Sequence, residues 1–292
     1  MKLEFVEFCV CCGSNKISKS PSILMPFVSD RALNIKPLKI DKSFGLKTIP
    51  NGVSYQFVNS SLCKECGLLF CDLRFNDEQI TNLYSGYRGL AYNRLREKYE
   101  PGYTKQNSKM KKGISYVSER EEFIEKFLQK KSSLNILDWG GNDGKNTPFN
   151  NFSNNVFLYD PSDIDIKSKN NIQRVNKNTF SKYKYDLITC NHVLEHIPFP
   201  IDTLKLFAKV LKKKGIVYIE VPCEKIVETS LPLMPDPVKK KYWHEHINFF
   251  SEKSLIKLLT SSGYEVVNIA ISKTYAEGNF DSFWKIVARL KH

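Results

Sequence analysis

A chain of 292 residues with 41% apolar and 12% aromatic side chains can build one large α/β domain plus a small accessory module, and is too rich in core formers to be disordered. The formal charge of +13 points toward an anionic partner, but the lysines are scattered, as in "KPLKIDKSFGLK" and "LKLFAKVLKKKG", which leaves solvated lysine faces as the plainer reading. No apolar run has the length of a membrane span and the N-terminal "MKLEFVEFCVCCGS" lacks the apolar core of a secretory signal, so a cytoplasmic protein is expected.

Residues 1–75 read as a zinc-binding module. Cys9 and Cys12 form one C-x-x-C knuckle and Cys63 and Cys66 a second, each followed by glycine. Two residues between thiolates let the backbone turn so that both sulfurs face one ion, and the glycine permits the tight turn. Four thiolates close a tetrahedral shell, so the expected Zn2+ is structural. Cys11 is an alternative ligand to either neighbour, and Cys71, Cys190 and Cys223 read as small core residues. The stretches "VSYQFV" and "GLLF" read as strands beside the second knuckle.

Residues 76–114 read as a connecting segment. Ile80, Leu83, Tyr84 and Tyr87 have helical spacing, and Pro101-Gly102 breaks it. Tyrosines alternate with arginines here, which makes Tyr87, Arg88, Tyr92 and Arg96 candidate substrate-binding residues able to grip a phosphate or stack on a ring. Tyrosine packing between two domains is the other reading. "SEREEFIEKFLQKK" follows as an amphipathic helix with Ser118 as candidate N-cap and Glu121 three residues on.

Residues 115–292 carry the most informative stretch, "LNILDWGGNDGKN". A short apolar strand ends at Asp138 and enters a glycine-rich turn, and "NVFLYDPS" supplies a second strand closed by Asp160. Glycines let backbone approach a ligand, and an acid about twenty residues on suits ribose hydroxyls. The dinucleotide pattern G-x-G-x-x-G is not met, because Lys145 holds the sixth position. Asp138, Trp139, Gly140, Asn142 and Gly144 instead resemble the first motif of the class I S-adenosylmethionine-dependent methyltransferases, with Asn142 where a middle glycine is usual. Asn tolerates left-handed geometry. "YDLITCNHVLEHIP", "FAKVLKKKGIVYIEVP" (helix, glycine turn, strand), "SEKSLIKLLTSSGYEVVNIAIS" (with Ser251 or Ser254 as cap) and "FWKIVARL" extend the resemblance. It implies a Rossmann-like seven-stranded sheet with only the last strand antiparallel. It also implies S-adenosylmethionine as cofactor, held by Asp138, Trp139, Gly140, Gly141, Asn142, Gly144, Asp160, Pro161, Asn191 and His192.

All four internal histidines fall in two stretches, "NHVLEHI" and "WHEHINFF". That topology would set both over one cleft. His244-Glu245-His246 lacks the helical spacing of H-E-x-x-H, and alternate residues of an extended segment face opposite ways, so a proton-transfer role fits it better than a metal. The four-cysteine module, the methyltransferase core and the E-H-x-x-x-F-S stretch together resemble bacterial methyltransferases acting on sugars in surface-glycan pathways. The resemblance implies Glu245 and His246 at the active site, with His196 a further candidate, and Trp243 where those enzymes place a tyrosine. Because the sequence stops at the last core strand, O-methylation of a sugar or phosphorylated sugar, with a histidine base, is expected over C-methylation. An RNA methyltransferase is the main alternative, although no basic stripe with interleaved aromatics lies near the knuckles. A cofactor-binding module without catalysis is the third reading.

Overall fold

The computed structural model describes residues 3–45, 47–110, 117–129, 132–151, 153–162, 172–276 and 279–291. Its main elements in chain order are β1 (Ile17–Leu24), α1 (Pro26–Leu33), β2 (Phe57–Cys63), β3 (Leu69–Cys71), α2 (Asp77–Tyr84), α3 (Leu90–Tyr99), α4 (Tyr103–Met110), α5 (Val117–Glu125), β4 (Asn135–Trp139), β5 (Asn155–Tyr159), β6 (Ile172–Arg174), β7 (Tyr185–Asn191), α6 (Pro200–Val210), β8 (Leu211–Pro222), β9 (Tyr242–Trp243), β10 (Asn248–Phe249), α7 (Glu252–Ser261), β11 (Tyr264–Ala276) and β12 (Asn279–Leu290).

Seven strands form one sheet in the order β6-β5-β4-β7-β8-β12-β11. Neighbours from β6 to β8 run parallel, and β12 is antiparallel to both β8 and β11. The central strands are apolar throughout because both faces are covered: Leu187, Ile188, Ile216, Val217 and Ile219 are fully buried. The strands change direction of progression at β4, so the loops after β4 and β7 open a crevice at their carboxyl ends. This is the expected α/β methyltransferase sheet.

The glycine expected to turn the chain before β8 does something else. Gly215 lies inside that strand, where the β7–β8 register shifts between Tyr185 and Leu187. A Cβ there would come within 2.9 Å of Leu211 and 3.0 Å of the Tyr185 carbonyl, so the position serves close strand contact. Ser118 lies within α5 and is not its cap, and the boundary placed at residues 114–115 falls outside the described residues. Ser251 does cap α7, in a reciprocal pair with Ser254.

A second sheet has the order β9-β1-β2-β3-β10. Its three middle strands come from the N-terminal module, while both edges come from the "YWHEHINFF" stretch nearly two hundred residues on. Tyr242–Trp243 pairs parallel with Ile23–Leu24, and Asn248–Phe249 pairs antiparallel with Leu69–Phe70. The segment between these two edge strands is His244 to Ile247. The module is thus completed by the later part of the chain. No helix among the described residues is long and apolar enough to cross a membrane.

Candidate active site

The loop after β4 is built by backbone constraints. Gly140 and Gly144 have left-handed φ of +82° and +75°, and Asn142 takes φ +54°, as its tolerance for that region allows. Added Cβ atoms would strike Val193 at Gly140, the Asp138 carboxylate at Gly141, and Ile172 at 2.7 Å from Gly144. Asp138 is buried and accepts hydrogen bonds from the Thr189 hydroxyl at 2.8 Å and from the Thr147 hydroxyl. Burial pushes its carboxyl up, and these two donors pull the other way. Asp160 closes the loop from outside: its Oδ2 accepts the Asn142 amide at 2.8 Å and its Oδ1 the Ser162 amide at 2.8 Å. Trp139 stacks on Tyr159 with ring centres 3.9 Å apart.

Above this loop lies a cavity of about 860 Å³, whose walls include Trp139, Gly140, Asn142, Asp160, His192 and His196 and which α2 borders through Tyr84. Such a volume accommodates a drug-sized molecule. The buried side-chain carbonyl oxygens of Asn142 and Asn191 have no protein partner. A bare backbone cradle with unpartnered acceptors and an acid at the second strand end suits a nucleoside-bearing cofactor.

The fold brings the two histidine stretches together through backbone. The Glu195 carbonyl accepts the amides of Ile247 at 2.8 Å and Asn248 at 3.0 Å. The Asn248 side chain donates to the carbonyls of Ile197 at 2.7 Å and Leu194 at 3.2 Å. Fully buried Arg74 ties the same two stretches to the N-terminal module, donating to Asn248 Oδ1 at 2.9 Å and to the Pro198 carbonyl at 3.1 Å. As a result the His196 and His246 rings meet edge to face at 4.6 Å.

Each ring has a fixed partner. His196 Nδ1 lies 2.9 Å from the Glu245 carbonyl, which only accepts, so this nitrogen carries the proton. The Tyr84 hydroxyl stands 2.9 Å from the same atom. Burial holds His196 well below the usual imidazole range, hence neutral. His246 Nδ1 meets Glu224 Oε1 at 2.6 Å. Burial works to lower His246, but Glu224 and Glu195 outweigh it and raise its pKa. Glu195 is 1% exposed, and neither carboxylate oxygen has a hydrogen-bond partner. Burial pushes its carboxyl up to about 7. His244 accepts the His246 amide at 3.2 Å and is pushed down to about 4 by burial first and His246 second.

The four cysteines of the paired knuckles also converge, with all four sulfurs within 4.8 Å of one another. Cys9 and Cys66 sulfurs are 3.6 Å apart, as are those of Cys12 and Cys63. Gly13 and Gly67 take left-handed φ and donate to the Cys9 and Cys63 carbonyls at 2.8 Å, making two matched turns. The Cys11 thiol donates to the Ser254 carbonyl at 2.9 Å, and the cluster of four forms without it. Crowding against Cys66 and burial push Cys9 up, and burial lifts Cys12 to about 11, so four thiolates here need a cation.

A family profile described as a methyltransferase domain matches residues 108–269, more than half of the chain. The chain belongs to the methyltransferase family. The ubiquinone biosynthesis O-methyltransferases of two Aliivibrio fischeri strains are 29% identical to the methyltransferase over 90 residues, 28% of this chain and 36% of theirs. The chain therefore spans only about a third of the length of those curated relatives. Among solved structures, a Burkholderia thailandensis 1,6-didemethyltoxoflavin-N1-methyltransferase is 16% identical, covering 68% of this chain and 88% of that one, with TM-score 0.48. A Methanosarcina mazei SAM-dependent methyltransferase is 17% identical, covering 57% and 96%, with TM-score 0.41.

Several expected substrate contacts of the methyltransferase are otherwise engaged. Trp243 is fully buried in the second sheet and donates its indole N–H to the Ser60 hydroxyl at 2.8 Å, so it presents no surface to a substrate. Tyr92 is 1% exposed and Arg96 grips Glu245, with Nη2 to Oε2 at 3.2 Å and a second contact through Nη1. Burial works to raise Glu245, but Arg96 outweighs it and keeps the carboxylate ionised. The Tyr/Arg segment thus follows the packing reading at Tyr92 and Arg96. Tyr87 does line the cavity, and the Arg88 guanidinium lies over its ring at 5.0 Å. Glu195 and Glu224 also meet the histidine cluster, although the sequence assigns neither a place in it. Glu195 is adjacent to His196 in sequence, but only tertiary structure strips it of partners.

Proposed function

We propose that this S-adenosylmethionine-dependent methyltransferase O-methylates a hydroxylated small molecule, a sugar or sugar-linked group, with Glu224–His246 as the activating pair. The observation that carries this reading is the meeting of His196 and His246 beside the cavity that opens on the glycine loop. Bound S-adenosylmethionine supplies an electrophilic methyl group. Gly140 and Asn142 would line its cradle, Asp160 would receive its ribose hydroxyls, and Asn191 and His192 would face its amino-acid end. Gly141 would keep the loop against Asp138, and Gly144 and Pro161 would border the adenosine. Structural Zn2+ would be held by Cys9, Cys12, Cys63 and Cys66.

His246 holds its Nδ1 proton on Glu224, which leaves Nε2 free to accept a hydroxyl proton from the acceptor. His196, neutral and fixed by the Glu245 carbonyl, offers a second acceptor nitrogen on the same side. Tyr84 and Tyr87 give the acceptor an aromatic wall. Glu245 supports the site by fixing the segment through Arg96. A polar, proton-accepting rim on a partly aromatic cavity suits a sugar hydroxyl, and the absence of a continuous basic stripe in the sequence argues against RNA.

The test is transfer of labelled methyl from S-adenosylmethionine to a panel of nucleotide sugars, glycan intermediates and total RNA. Labelled sugar is the expected product, and labelled RNA alone would overturn the reading. His246→Ala is expected to lower kcat at least about tenfold, the low end of what a positioned base contributes, with cofactor affinity unchanged by calorimetry.

A further inference from the structure

One cluster exceeds the needs of a histidine base. Glu195, His196 and His246 each offer a ligand atom, and these atoms lie within 4.8 Å of one another. His196 Nε2 is 3.8 Å from Glu195 Oε1. Two ligand atoms at about 2.1 Å from one ion and at a tetrahedral angle stand about 3.4 Å apart, so small side-chain rotations close the set. The Glu195 carboxylate is buried with both oxygens unpartnered, a costly arrangement in a chain where buried Asp72, Asp138, Asp186, Glu220 and Glu245 each accept from a side-chain donor.

The surroundings are those of metal-bound histidines. A ligating imidazole characteristically donates its other N–H to a carboxylate or a backbone carbonyl, which fixes the ring and raises its basicity. His246 has Glu224 in that place at 2.6 Å and His196 has the Glu245 carbonyl at 2.9 Å. With Nδ1 engaged in each ring, Nε2 is the nitrogen each has left to offer. The two imidazoles are about a quarter exposed while the carboxylate is not, and His196 lines the cavity, so an ion held here would have open positions on the His196 side. His244-Glu245-His246 itself is not the site, because Glu245 is committed to Arg96.

We propose that Glu195, His196 and His246 hold a divalent first-row cation whose open positions take the oxygen atoms of a hydroxylated acceptor, a pair of neighbouring hydroxyls best. Two imidazoles and one carboxylate are borderline donors suited to such an ion, and three protein ligands with open positions characterise a site that works on a bound oxygen. The proposal deepens the reading above at the same site and rests on it: the Nε2 atoms of His246 and His196 become ligands, the ion in place of a free imidazole lowers the pKa of the bound hydroxyl so that its proton leaves to solvent, and the oxygen then takes the methyl group as the sulfonium departs as a neutral thioether.

Co2+ alone is titrated into zinc-loaded full-length protein, followed by visible absorption. A further equivalent should bind with nitrogen–oxygen bands and without thiolate charge-transfer bands. Glu195→Gln and His246→Gln should each abolish it while cysteine-held zinc stays at its wild-type content, and Glu224→Gln, which acts through His246, should weaken it about 10–100-fold. If Co2+ binds only by displacing zinc, or binds Glu195→Gln as tightly as wild type, the inference falls. If Glu195→Gln does not fold, the partly exposed His246→Gln decides by the same readout. Methyl transfer separates the two readings: full activity in protein proven free of the second ion overturns the metal and leaves the methyltransferase reading intact, whereas failure of every hydroxylated acceptor with Co2+ bound overturns the acceptor and leaves the ion.

Discussion

Among single residues, Arg120 and Glu220 make a buried ion pair within reach of His192 at the crevice. The guanidinium donates from Nε at 3.0 Å and from Nη2 at 2.6 Å to the two carboxylate oxygens, and the Tyr218 hydroxyl donates to one of them. Both side chains are nearly buried, and His192 Nε2 stands 3.7 Å from the same carboxylate. Breaking such a pair costs more than forming it contributes, because the survivor is a buried charge without compensation. Arg120→Met should therefore lower unfolding free energy by about 3–5 kcal/mol in urea titrations at neutral pH. The pH dependence follows from the direction of the shift. Burial works to raise Glu220, but Arg120 outweighs it and its folded pKa lies below the usual carboxylate value. Its contribution is fully present above the unfolded value of about 4.3 and is lost as pH falls through the folded value. Urea midpoints measured from about pH 5 downward should fall more steeply for wild type than for Glu220→Gln, which starts lower and lacks this carboxylate.

Elements whose meaning is local were readable from sequence, and those defined by a distant partner were not. The β4–loop–β5 unit is local: an apolar strand, an acid, glycines at the left-handed positions and a second acid together imply one geometry, and it is the geometry found. Gly140 shows how tightly it is specified, with φ +82° and no room for a Cβ beside Val193. Gly140→Ala should lower S-adenosylmethionine affinity at least tenfold by calorimetry, since strain and collision both push the loop into the cofactor's space, while the circular dichroism of the sheet is retained. Gly215 was misread because a glycine after a helix and before an apolar run looks like a turn; only the shifted register against β7 makes it a strand interior. Likewise "YWHEHINFF" carries no sign in its own residues that its two ends are edge strands of a sheet begun at Ile17. Trp243, polar-flanked and near two histidines, looked like a substrate contact for the same reason, and its burial depends on β1 and β2.

For the molecule as a whole, the cysteine cluster and the histidine cluster are two ends of one construction. The knuckles fix the ends of β2 and β3, β10 lies on β3, and Arg74 just beyond β3 bonds to both histidine-bearing stretches. The site was therefore legible as a list of residues and illegible as a cluster. Its histidines could be named from sequence, but Glu195 becomes distinctive only when two chain segments bond across its backbone and leave its side chain alone. The glycine loop belongs to the other sheet, which gives the coupling a signature. Arg74→Met removes donors from the Pro198 carbonyl and Asn248 Oδ1, each loss of a buried partner costing about 1–3 kcal/mol, without touching the loop. Turnover should fall at least tenfold while S-adenosylmethionine affinity stays within about twofold of wild type. Cys9→Ser combined with Cys12→Ser, which removes the proposed cysteine site and leaves the histidine cluster untouched, should move the same two quantities in the same way. Parallel loss of cofactor affinity in either experiment would mean that the second sheet supports the whole crevice, and that the histidines are not positioned by the module alone.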